Sequence, residues 1–272
     1  MFYKKYQAAS HLSPFVECFY IWENVDFEVH HQIIESPPTA FGSMVFNYGD
    51  TYSFKTLGNE KFISVPQNFI TGQATQNYFL QLPRKIGMIG VVFKPAAIST
   101  LFGMPMYEFV NTRYELSDVF GTEIDIISDK IREENSKELK VEILNNYLTI
   151  KLMKLKKGPD RTDYAANLIL DQKGMVNISN LMSELYVCRR QFERQFLQKV
   201  GMSPKYYARV RRIGYLCASL ASKKWKIDDW HDLIYKMGYY DQSHFIKEFT
   251  SFTGKSPRFY LKNNLELANY LE

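Results

Sequence analysis

The chain has 272 residues, 46% of them apolar and 23% charged, with a formal charge of +5. That length suits two domains of ordinary size, and that balance excludes a disordered polymer. Cys18, Cys188 and Cys217 are odd in number and far apart, which argues against a disulfide framework and for a reducing compartment.

The start, Met1-Phe2-Tyr3-Lys4-Lys5, lacks the apolar stretch of a signal peptide. Short β segments then follow one another: Val16–Trp22, Val29–Ile34, Met44–Tyr48, Tyr52–Lys55, Phe62–Val65, Asn68–Thr71, Tyr78–Leu82 and Ile86–Phe93. Turn signals at Pro37-Pro38, Gly49-Asp50 and Gly58-Asn59 separate them. Many short strands at this spacing imply a small sandwich or barrel. Ile86–Phe93 is the longest uncharged apolar run and is far too short to span a bilayer, so a cytoplasmic protein with no membrane partner is expected.

Pro95 suits the first position of a helix that Gly103 ends. Helical stretches follow at roughly 122–134 and 136–157, the second capped by Ser136. Its residues Val141, Leu144, Leu148, Leu152 and Leu155 form one apolar stripe. Two readings of that stripe stand, packing against the strands or a seam between two chains. Lys156-Lys157-Gly158-Pro159-Asp160 reads as a linker, and only helices are expected beyond it. Residues 160–272 hold 18 Lys/Arg against 12 Asp/Glu, whereas residues 1–159 hold 16 against 17. The basic excess therefore lies in the C-terminal part, as a phosphate-binding surface requires.

That part contains a repeat. Phe192, Phe196, Gly201, Ser203, Pro204 and Tyr207 recur 53 positions later as Phe245, Phe249, Gly254, Ser256, Pro257 and Tyr260. Each unit reads as a helix-turn-helix. Asn177 and Asp229 cap the first helices, and Leu181, Met182 and Leu185, matched by Leu233, Ile234 and Met237, give them apolar faces. Cys188 and Asp241 stand where the second helices begin. The phenylalanine pairs, four residues apart, place both rings on one buried face. Positions two away from a buried ring lie on the opposite side, which assigns Arg190, Arg194, Ser243 and Lys247 to solvent or to a major groove. Arg bonds guanine and Gln bonds adenine, so Arg190, Arg194 and Gln242 suit base edges. Ser203-Pro204 opens a joining helix that carries Arg209, Arg211 and Arg212, each of them a phosphate contact or an ordinary solvated or ion-paired charge.

At these residues the chain resembles the AraC/XylS family of bacterial transcription regulators. The stretches that carry the resemblance are Leu185-Tyr-Val-Cys-Arg-Arg-Gln-Phe-Glu-Arg-Gln-Phe196 with Gly201-Met-Ser-Pro204, and Gly238-Tyr-Tyr-Asp-Gln-Ser-His-Phe-Ile-Lys-Glu-Phe249 with Gly254-Lys-Ser-Pro257. It covers about residues 161–262. The resemblance implies base contacts from Arg190, Glu193 and Arg194, and from Gln242, Ser243, His244 and Lys247; Arg189, Arg209, Arg211 and Arg212 are candidate phosphate contacts beside them. Cys188 departs from the usual serine cap, and Lys247 from the commoner arginine, which loses bidentate geometry. Residues 1–157 are similar to the sensor domains of part of the family, through Val45–Asp50, Thr71-Gly72-Gln73, Phe93-Lys94-Pro95 and Leu101-Phe102-Gly103.

The expected fold is therefore α+β with two domains. Residues 1–157 form a cupin-like β-barrel with strands to about 94 and appended helices. Residues 158–272 form an all-α domain of two helix-turn-helix units joined by a long helix. The expected partners are double-stranded promoter DNA, RNA polymerase, a small-molecule effector and a second copy of the chain, with an activator as the expected role. Phe19, Trp22, Phe46, Tyr48 and Phe54 are either effector-cavity lining or plain core. Neither a cofactor nor a metal is expected: His30 and His31 face opposite sides of a strand, and His11, His231 and His244 are scattered. Three dispersed cysteines do not supply the clustered thiolates of an alkyl-accepting repair site, and no phosphate-cradling loop or nucleophile elbow is present. An enzyme is not expected. Two alternatives stay open, an N-terminal domain that only dimerises or binds another protein, and an enzyme or repair protein with a DNA-targeting tail.

Overall fold

The computed structural model describes residues 2–24, 33–222 and 230–263. Strands β1 (Phe2–Tyr6), β2 (Val16–Asn24), β3 (Ile33–Ser36), β4 (Gly42–Asn47), β5 (Ser53–Thr56), β6 (Ile63–Ser64), β7 (Asn68–Thr71), β8 (Tyr78–Gln81), β9 (Ile86–Phe93) and β10 (Arg113–Glu115) build two antiparallel sheets. The first runs β1-β2-β9-β4-β7-β10 and the second β3-β8-β5-β6. Among the described residues no ladder joins them, so the cupin-like β-rich domain expected from the sequence takes the form of two facing antiparallel sheets that are not closed. The expected strand over Val29–Ile34 falls partly on residues outside those described. β1 and β10 were not foreseen: Tyr3-Lys4-Lys5 carries two charges, and β10 has only three residues.

Side-chain alternation gives the first sheet two different faces. Phe19, Ile21, Met44, Phe46, Ile70, Ile89 and Val91 point to a core shared with the helices that follow. Tyr20, Trp22, Val45, Phe69 and Met88 point the other way, toward the second sheet. The helices on the first face are α1 (Ala97–Phe102), α2 (Leu116–Phe120), α3 (Glu123–Glu133) and α4 (Lys137–Met153). Gly103 ends α1 in the left-handed region at φ 74°. The Ser136 side chain caps α4 by accepting from the Leu139 amide. Val141, Leu144 and Leu148 are buried in this same core, so the α4 stripe packs within its own chain.

The C-terminal domain is helical: α5 (Arg161–Asp171), α6 (Ile178–Glu184), α7 (Arg189–Val200), α8 (Pro204–Ser222), α9 (Trp230–Lys236), α10 (Gln242–Thr253) and α11 (Pro257–Asn263). Asp160 opens α5 with a reciprocal capping box to Asp163. No helix among the described residues is long and apolar enough to cross a membrane.

Candidate nucleic-acid interface

Two helix pairs, α6–α7 and α9–α10, form the repeated units. In the first, Asn177 caps α6 by accepting from the Asn180 amide. In the second, Asp229 lies outside the described residues. Phe192 and Phe196 are buried with ring centroids 5.6 Å apart, and Phe245 and Phe249 repeat the contact at 5.7 Å. Tyr207 and Tyr260 close each cluster at 5.9 Å and 5.4 Å from the second ring. Gly201 and Gly254 end α7 and α10 with φ 92° and 73°; a side chain there is strained. Ser203 and Ser256 then cap the next helices through the amides of Tyr206 and Phe259. The shared signature is thus scaffold in both copies.

The reading positions expected before and between the rings face outward. Arg190, Arg194, Gln242, Ser243, His244 and Lys247 are all exposed. Arg190 and Gln242 sit in the first turns of α7 and α10, whose amides are unpaired with the helix and whose positive dipole ends favour phosphate. The two starts differ. Asp241 caps α10 through the His244 amide at 2.7 Å, whereas Cys188 makes no side-chain cap at α7. Glu193 is half-buried and bound to Arg189 at 3.0 Å, an i,i+4 pair on the helix surface. Base contact by Glu193 or phosphate contact by Arg189 requires that weak pair to open. The His244 ring lies edge-on to Tyr239 with centroids 5.4 Å apart.

The arginines of α8 behave otherwise. Arg209 and Arg212 both pair with Glu248, at 2.9 Å and 3.3 Å, and the Tyr239 hydroxyl donates to the same carboxylate at 3.0 Å. Glu248 is 5% exposed, so these partners are what allow its charge to be buried. Arg211 donates to the Thr39 carbonyl at 2.7 Å and stacks on Phe41. The phosphate contacts expected of Arg209, Arg211 and Arg212 therefore compete with internal partners, and two of the three fasten α10 to α8. Glu248 had no signal in the sequence, because its partners stand 36 and 39 residues earlier.

Both units are also fastened to the β-rich domain. Lys199, in the last turn of α7, pairs with Asp160 at 2.9 Å and with Asp163, which also accepts from the Thr100 hydroxyl of α1. Burial works against the Lys199 ammonium, but hydrogen bonds to the Asp163 and Asp160 carboxylates outweigh it and lift its pKa. Beyond α10, Lys255 pairs with Glu35 of β3 at 2.5 Å. Asn77, fully buried, donates from Nδ2 to Glu35 and from its amide to the Phe252 carbonyl.

Between the two sheets lies a cavity of about 230 Å³. Trp22, left open in the sequence between lining and core, lines it. Phe19 and Phe46 belong to the opposite core, Tyr48 donates to Glu23 at 2.7 Å, and Phe54 lies beneath Arg113.

Two family models match the chain. Residues 4–115 match a domain of unknown function, DUF6597, and residues 181–263 match a helix-turn-helix domain. No curated protein matches the chain in sequence. Among solved structures, ToxT from Vibrio cholerae is similar. An apo lysine-to-alanine variant from strain SCE256 aligns at TM-score 0.46 and 13% identity, over 90% of this chain and 96% of that one. A form refined at 1.65 Å aligns at 0.45 and 14%, over 90% and 97%. Unsaturated fatty acid bound wild-type ToxT aligns at 0.45 and 12%, over 89% and 93%.

Proposed function

We propose that this chain, a member of the AraC/XylS family of transcription regulators carrying that family's helix-turn-helix domain, reads an asymmetric promoter site with α7 and α10. The observation that carries this reading is the contrast within the repeat. The buried residues match, whereas the exposed ones differ: Arg190 and Arg194 on α7, against Gln242, Ser243 and Lys247 on α10. Arg prefers guanine and Gln prefers adenine, so the two helices select different half-sequences. At about 1.5 Å per residue the 19-residue α8 spans roughly 28 Å, enough to hold two recognition helices on successive turns of one face of DNA. The expected preference for a selected site over scrambled DNA is about 10³-fold or more. Titrations of labelled duplexes at fixed salt measure it, and equal affinity for both would sink the reading.

The β-rich domain is proposed to sense a small-molecule effector. Strand β3 supports this, because Ile34 and Ser36 line the cavity while Glu35, on the opposite face, binds Lys255 beyond α10. Thr39 and Phe41 line the cavity too, and both hold Arg211 of α8. Occupancy that shifts either wall reaches the DNA-reading helices directly.

A further inference from the structure

The cavity between the sheets has a one-sided chemistry. Of its seventeen lining residues, one carries a full charge, Arg113 of β10, and none is a carboxylate, a lysine or a histidine. The rest of the wall is aromatic and aliphatic, interrupted by hydroxyls. At about 230 Å³ the space falls below the roughly 300–1,000 Å³ that holds drug-sized ligands, so the occupant is compact.

Arg113 is held by ring faces and by a hydrogen bond with Tyr52 rather than by a counter-ion. Its guanidinium lies 3.6 Å from the Phe54 ring centroid, 5.5 Å from Tyr78 and 5.8 Å from Phe69. Its Nε is buried with no hydrogen-bond partner, and among the described residues no carboxylate pairs with it. The contrast with α8 is informative, since Arg209 and Arg212 both have Glu248. Ring faces return part of the cost of burying a cation, but a planar guanidinium is best satisfied by a planar carboxylate. The phenols add donors. Burial pushes the Tyr3 hydroxyl up to about 12 and raises Tyr20 well above its ordinary value; both keep their protons at neutral pH. Burial also raises Tyr52, against the opposing pull of Arg113 beside it.

We infer that the cavity binds a compact apolar monocarboxylate, its acid group on Arg113 and its body between the aromatic walls. The inference rests on the sensor reading of the β-rich domain and adds the ligand class to it. One cation favours one negative charge. A phosphate monoester brings nearly two.

The test uses the full chain and three probes of one shape: 3-phenylpropanoate, 3-phenylpropanamide and 3-phenylpropylamine. Calorimetry and melting shifts are expected to show the acid binding about tenfold or more tighter than the amide, with no binding of the amine. Arg113→Gln is expected to bring the acid down to the level of the amide, and Arg113→Lys to restore part of the difference. The acid–amide comparison on the parent protein decides the matter even where a variant fails to fold. Equal or tighter binding of the amide, or binding of the amine, would overturn the carboxylate assignment and leave the sensor reading standing. Binding of none of the three at millimolar concentration would overturn both.

Discussion

Lys255 and Glu35 stand 220 residues apart in the chain and form an ion pair of 2.5 Å, which joins the turn after α10 to the strand β3. The Glu35 side chain is 8% exposed and that of Lys255 27% exposed. Removing one partner therefore strands a buried charge. Lys255→Met is expected to destabilise the protein by up to about 3–5 kcal/mol, and Glu35→Gln with Lys255→Met to recover most of the loss. Urea unfolding of the four proteins of this cycle measures the coupling. If Lys255→Met unfolds like the parent, the second unit is not held to β3.

Gly214 lies in the middle of α8, where glycine costs about 1 kcal/mol relative to alanine. The close approach of the β-rich domain explains it, because a Cβ there would collide with the Pro38 carbonyl oxygen. Gly214→Ala is accordingly expected to lower the melting temperature and to expose the segment around Pro38 to hydrogen exchange. Stabilisation by the alanine would mean that the two domains do not dock in this way.

The ring pairs carry the helix-turn-helix core. Phe192→Ala and Phe245→Ala, each at a side chain 1% exposed, are expected to cost about 3–5 kcal/mol. Denaturant midpoints check this, and a mutant that unfolds like the parent contradicts the buried-face assignment.

The Asp160–Lys199 contact has an acid limit. Burial opposes ionisation of Asp160, but hydrogen bonds with Lys199 and Asp163 prevail and lower its pKa below the ordinary 3.8. A lowered folded pKa gives stability that is complete above the unfolded value and is lost as pH falls through the folded one. Melting temperatures between pH 6 and pH 2.5 are expected to fall less steeply for Asp160→Asn than for the parent. Parallel curves would remove this contact from the acid response.

Local rules recovered much of this architecture. Ser136 and Asn177 cap the helices they were expected to cap, Gly103 ends α1, and strands Asn68–Thr71 and Ile86–Phe93 have the expected bounds. The repeat located α7 and α10, because its spacing follows from helix geometry and turn chemistry within some 20 residues. What stayed hidden depends on distance. Glu248 reads as a surface residue until α8 brings two arginines to it, and Arg113 is one more charge until the second sheet covers it with Phe54 and Tyr78. The arginines of α8 stood open in the sequence between phosphate contacts and ordinary or ion-paired charges, and the fold gives each of them an internal partner.

Selection of binding sites from randomised DNA, run with the parent, Arg190→Ala and Gln242→Ala, tests the division of labour between the two helices most directly. The parent is expected to enrich a bipartite site of two unlike halves, centred about one helical turn apart. Each variant is expected to lose about 1–3 kcal/mol and to relax preference in one half only, Arg190→Ala in one and Gln242→Ala in the other. A palindromic site, or equal weakening on every sequence by both variants, would contradict it.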